Sequence, residues 1–159
     1  MIDVSVIAAA ILYLCTLPSG RYSDHLGDKP ATRAREIAAH LINAAKLHDV
    51  DPFLLTALAY RESTFDQAAV SAEASFGLLQ VNVRGWGREA LHRCLVRPGE
   101  CLWWQAFYGA HAFSHYKRKC GTEGRALTAY RTGRCGPPGP EAMKVLDVRR
   151  QLRARQLSP

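Results

Sequence analysis

Glu62 closes an apolar run that reads as one helix, and its position there limits what the chain can become. Asp51 is a good N-cap and Pro52 suits the first helical position, so a helix is expected over Pro52–Glu62. Leu54, Leu55, Leu58, Ala59 and Glu62 recur at three- and four-residue spacings. Glu62 therefore shares the core-turned face with Leu55 and Leu58. An ionised carboxylate on that face loses hydration, which raises its pKa. Moving a Glu from about 4.3 to about 6 takes roughly 2 kcal/mol, modest for a half-buried group. A carboxyl kept protonated near neutral pH can donate to the oxygen of an acetal such as a glycosidic bond. A lone Glu at a helix end is more often simply paired with an arginine, here Arg61. The downstream sequence tips the balance.

Glu62-Ser63 is followed by Phe65-Asp66, Ala69-Val70-Ser71 and a Gly77-Leu78-Leu79-Gln80 turn. Further on stands Ala126-Leu127-Thr128-Ala129-Tyr130-Arg131-Thr132-Gly133. In this order the pieces resemble the lytic transglycosylases of the lysozyme-like superfamily, the soluble-lytic-transglycosylase type related to goose-type lysozyme. The resemblance spans roughly Ile37 to Gly133. It implies a mainly α fold, a lysozyme-like helical domain with at most a short β-hairpin beside the active-site cleft. It also implies roles. Glu62 would be the general acid and then the general base. Ser63 and Gln80 would line the cleft floor with Leu79 and Asn82, and Tyr130 would hydrogen-bond near the carboxyl and orient it. Two positions depart from the family pattern: Arg131 stands where Asn is usual, and Gln67 replaces a Pro.

The carboxylates weigh lyase against hydrolase. A standard glycosidase uses two, ~5 Å apart to retain configuration or further apart to invert it. Downstream of Glu62 the candidates are Asp66, Glu73 and Glu89. Goose-type relatives often carry Asp just after the turn, where this chain has Asn82, and a neutral amide cannot activate water as a base. The favoured reading is a peptidoglycan lytic transglycosylase with a single catalytic carboxyl, forming a 1,6-anhydro end on the muramic sugar. Hydrolysis with Glu73 folded inward is the alternative, and a non-catalytic glycan-binding domain is a third reading.

At 159 residues and 48% hydrophobic content, the chain suits one sizeable core. A single catalytic domain over 1–159 is expected, with an N-terminal helix and linker (1–30), a core (31–135) and a basic C-terminal helix (136–159). Helices are expected at Val4–Leu17, Ala31–His48, Pro52–Glu62, Gly87–Cys94, Leu102–Lys119, Arg125–Tyr130 and Glu141–Gln156, with any hairpin around Ser71–Val83. The Gly136-Pro137-Pro138-Gly139-Pro140 run should end the core and hand over to the last helix.

Cys15 sits in an apolar helix and reads as a small buried hydrophobe. The other four cysteines allow three pairings; Cys94–Cys101 with Cys120–Cys135 is favoured, because each pair flanks a short segment. Such pairs imply an oxidising compartment, periplasmic or extracellular. Zinc is the competing use, through His92, Cys94, Cys101, Cys120 and the His111/His115 pair, but neither CxxC nor HExxH spacing is present. No metal and no cofactor is expected. The aromatic cluster Trp103, Trp104, Phe107 and Tyr108 reads as core, with an edge ring available to stack on a sugar.

Val4–Leu17 is too short to span a bilayer. Asp3 as the N-cap of a buried helix fits it better than a signal peptide, which should begin with Lys or Arg. The net charge of +7 favours acidic surfaces, cell-wall polymers among them. Its densest run, Arg149-Arg150-Gln151-Leu152-Arg153-Ala154-Arg155, is the only support for a nucleic-acid module and reads instead as a solvated helix face. The expected partner is the peptidoglycan strand, bound by a monomer without nucleic acid or a membrane span.

Overall fold

A computed structural model describes residues 1–17 and 24–156. The linker residues expected between the first two helices lie partly outside them, as do the last three residues of the chain. Seven α-helices are present among the described residues: α1 (Val4–Thr16), α2 (Pro30–Leu47), α3 (Pro52–Ser63), α4 (Gly87–Val96), α5 (Cys101–Cys120), α6 (Glu123–Thr132) and α7 (Pro140–Gln156). Two short strands, β1 (Ser75–Phe76) and β2 (Val81–Asn82), pair antiparallel with Ser75 opposite Asn82 and Phe76 opposite Val81. The fold is mainly α, and each helix end falls within two residues of its expected place.

Local chemistry explains the starts. The Asp3 carboxylate accepts from the Ser5 N–H at 2.6 Å and opens α1. Asp51 accepts from the Phe53 N–H at 3.1 Å, with Pro52 behind it, and opens α3. Thr122 caps α6 by accepting from Arg125 N–H. The stop of α3 is less legible. Thr64 and Phe65 both take left-handed backbone (φ 54° and 63°), which turns the chain sharply just after Glu62 and Ser63. Phe65 tolerates this conformation because its ring is swallowed by the core, 1% exposed.

One apolar cluster holds the elements together, from Ile7, Ile11 and Leu14 of α1 through Leu54, Leu55 and Leu58 of α3 to Val145 and Leu152 of α7. Cys15 is buried in it as a free thiol, and burial pushes that thiol up to about 11. Disulfides join Cys94 to Cys101 and Cys120 to Cys135, so these cysteines are not thiolate ligands.

The basic run of α7 is largely exposed, as expected of a solvated face, and its arginines also make surface pairs. Arg153 reaches Asp51 at 2.9 Å, and Arg149 pairs with Glu123 and approaches Asp51 at 4.0 Å. Arg155 lies 3.8 Å over the Tyr13 ring. Only Arg150 keeps to its own helix, pairing with Asp147. These arginines fasten α7 to α1, α3 and α6. Among the described residues, no helix is long and apolar enough to cross a membrane.

Candidate active site

Glu62 occupies the last turn of α3, and the left-handed pair Thr64-Phe65 swings the chain away beyond it. This leaves the carboxyl at the head of an open cleft. The walls are Arg61 and Glu62 from α3, Ser71, Glu73, Ser75, Gln80 and Asn82 from the hairpin, and Tyr130, Arg131 and Thr132 from α6. Burial is the largest influence on Glu62 and raises its pKa. Arg131 opposes the rise, Glu141 adds to it, and Arg61 opposes it again. The desolvation expected from helical spacing is present.

The hairpin turn is held by main-chain and amide bonds. The Gln80 side-chain amide donates to the carbonyls of Ala69 and Gly77, each at 3.0 Å, while Gln80 itself takes a left-handed backbone. Gly77 also needs positive φ (77°), and a Cβ there would stand 2.4 Å from the Gln105 amide carbon. That contact is purposeful. Gln105 of α5, 2% exposed, accepts from the Leu78 N–H at 2.7 Å and donates to the Gln67 carbonyl at 3.0 Å. Gln105 is a structural residue of the site that sequence reasoning missed. Its partners stand up to 38 positions away, and no local pattern marks it.

The expected site residues separate into two layers. Glu62, Gln80, Asn82 and Tyr130 come together on the cleft wall. Ser63 and Leu79 lie behind it. The Ser63 hydroxyl donates to the Leu78 carbonyl at 2.7 Å and tethers α3 to the turn. Leu79 is fully buried against Gly109 of α5, where a Cβ would come within 2.3 Å of its side chain. Tyr130 directs its proton to the Leu79 carbonyl at 2.7 Å rather than to Glu62. Burial, followed by the charge of Glu62, raises the Tyr130 pKa well above its usual value, so the hydroxyl stays protonated.

Of the other carboxylates, Glu73 is exposed and lines the cleft. Asp66 turns away: it accepts from the Ala68 N–H at 2.8 Å and lies 3.6 Å from His25. Glu89 pairs with Arg93 on α4. Asn82 is committed at both ends, donating to the Glu73 carbonyl at 2.9 Å and accepting from the Arg84 N–H at 2.8 Å. The cleft continues past Gln80, Asn82 and Tyr130 to Trp86, which is 40% exposed and braced edge-on by His111 and His115.

A mainly helical fold with one desolvated carboxyl at the head of a polar cleft has the layout of a glycan-cleaving domain. A family model for the transglycosylase SLT domain matches residues 40–136, well over half of the chain, and the chain belongs to that family. The match covers Glu62, the hairpin and α6, and stops before α7. Comparison with curated proteins gives no match. Membership brings peptidoglycan as the substrate class and lytic transglycosylation as the general activity.

Proposed function

We propose that the protein cuts the β-1,4 bond between N-acetylmuramic acid and N-acetylglucosamine with Glu62 as its single catalytic carboxyl, leaving a 1,6-anhydro end. The observation that carries this reading is the desolvated Glu62 in a cleft whose wall carries the amide of Asn82, a group that cannot activate water as a base. Glu62 donates its proton to the bridging oxygen as the bond to the muramic C1 breaks. The substrate's own N-acetyl oxygen stabilises the cation. The Glu62 carboxylate then takes the proton of the 6-hydroxyl, which closes on C1. No water is consumed, and the carboxyl ends protonated. Tyr130, its proton committed to Leu79, offers only lone pairs to its surroundings, which suits a protonated neighbour and disfavours an ionised one.

A second reading has one observation in its favour. Glu73 lines the same cleft and its carboxylate pairs with no other side chain among the described residues, so it is placed to activate water in a hydrolase. Digestion of sacculi in ¹⁸O-water, followed by mass spectrometry, separates the two. Anhydro ends without label support the single-carboxyl lyase, labelled reducing ends replace it with the hydrolase, and intact sacculi leave a binding domain.

The same reading places the protein, as a monomer and one domain, in the periplasm or outside the cell. Its substrate lies there, and its two disulfides persist in oxidising surroundings.

A further inference from the structure

Glu141, at the start of α7, gathers three cations. Its carboxylate accepts from Arg61 at 2.8 Å and from Lys144 at 2.6 Å, and Arg131 stands 3.4 Å away. Arg61 and Arg131 are both cleft-wall residues beside Glu62, and with Glu141 they enclose a small pocket on the helix side of Glu62. Two guanidiniums next to a general acid are a hazard. Either one, left free, is a strong partner for a carboxylate and stabilises the form that cannot donate a proton. The counter-charge comes from α7, a helix beyond the family-matched segment.

We propose that Glu141 is a positioning residue that ties Arg61 and Arg131 to α7, keeping their guanidiniums from pairing with Glu62 so that Glu62 retains the proton it must donate. This rests on the reading of Glu62 as the proton donor. The groups facing Glu62 are Arg61 on its own helix, Tyr130 and Arg131 on α6, Glu141 with Lys144 behind it on α7, and Glu73 across the cleft. Of these, Glu141 is the one acid that holds both arginines. Its own carboxyl is pulled down to about 2, chiefly by its bonds to Lys144 and Arg61, so it stays ionised across the working range.

The test is direct titration of Glu62 by ¹³C-carboxyl NMR, the resonance assigned with Glu62→Gln, alongside the pH profile of sacculus digestion. In Glu141→Gln the Glu62 pKa should fall by about one unit, the scale of an unshielded neighbouring charge. The alkaline limb of activity should fall with it. Adding Arg131→Asn to that variant should restore most of the shift, and Arg131→Asn alone should move the Glu62 pKa above wild type. This single variant leaves α7 intact and answers the question even where Glu141→Gln folds poorly. An unmoved Glu62 titration in both single variants overturns the proposal, as does an activity loss that is equal at every pH. Failure of the underlying reading looks different: Glu62→Gln would then digest sacculi normally, whatever the titrations give.

Discussion

Tyr130 on α6 and Leu79 in the hairpin turn, 51 positions apart, are joined by a single hydrogen bond from phenol to main-chain carbonyl, 2.7 Å long. The bond fixes the hairpin relative to the helix bearing Arg131. Tyr130→Phe keeps the ring and leaves the Leu79 carbonyl without its partner. The expected cost is about 1–3 kcal/mol of stability, read from denaturant midpoints. Activity should drop but outlast that of Glu62 variants, and an unchanged midpoint would show that water takes over the carbonyl.

Glu62→Gln should lower sacculus digestion by about 10²–10⁴-fold, because the amide cannot deliver a proton. It should also change stability with a definite sign. The folded pKa of Glu62 is raised, so its contribution is fully present below the unfolded value of about 4.3 and is lost as pH rises through the folded value. The variant should therefore melt higher than wild type on the alkaline side of the folded pKa, with the gap closing in acid. Melting curves across pH check this, and a variant less stable at neutral pH contradicts it.

Gln105→Ala removes the buried amide that holds Leu78 and Gln67. Stability should fall by about 1–3 kcal/mol for the unsatisfied Leu78 N–H, plus the loss of packing around Gly77. Hydrogen exchange should rise first at Gly77–Gln80. Exchange that rises evenly over the whole chain would mean that Gln105 does not specifically support the turn.

Replacing Cys120 and Cys135 together with Ala should cost roughly 3 kcal/mol, the loop-closure scale for their 15-residue separation. The Cys94–Cys101 pair closes a shorter loop of 7 and should cost less. Denaturant curves of the two double variants give the order, and a reversed order would place the main effect in native packing instead of the unfolded chain.

Asn82→Asp puts a carboxylate on the cleft wall that Glu62 shares. It also removes the amide donor to the Glu73 carbonyl, so the hairpin should loosen locally. The added negative charge should raise the Glu62 pKa and carry the alkaline limb of activity upward. Some ¹⁸O-labelled reducing ends should appear among the products. An alkaline limb that moves downward would exclude a like-charge effect at this distance.

The parts legible in the sequence were those set by neighbours a few positions apart. Asp3 opens α1, Asp51-Pro52 opens α3, and the spacing of Leu55, Leu58 and Glu62 gave the desolvated carboxyl its face. The layering of Ser63 and Leu79 was not legible, because one face of a short turn looks the same as the other until α5 packs against it. The roles of Gln105 and Glu141 were hidden for the same reason. Gln105 reaches Leu78 and Gln67, 27 and 38 positions away, and Glu141 reaches Arg61, 80 positions away. The pairings made by the basic run of α7 were not legible either, because Arg149 and Arg153 find Asp51 only once α7 lies along α3.

The same pairings make α3 and α7 an antiparallel couple riveted at both ends: Asp51 to Arg149 and Arg153 at one, Arg61 to Glu141 at the other. A helix fastened once can still roll about its axis; fastened twice, it has a fixed rotational phase. One residue inserted into α7 between Glu141 and Arg149 would turn the rivets about 100° out of step with each other. Only one could then close. The direction in which Glu62 points is thus tied to the length of α7, and an insertion there should be felt in the cleft.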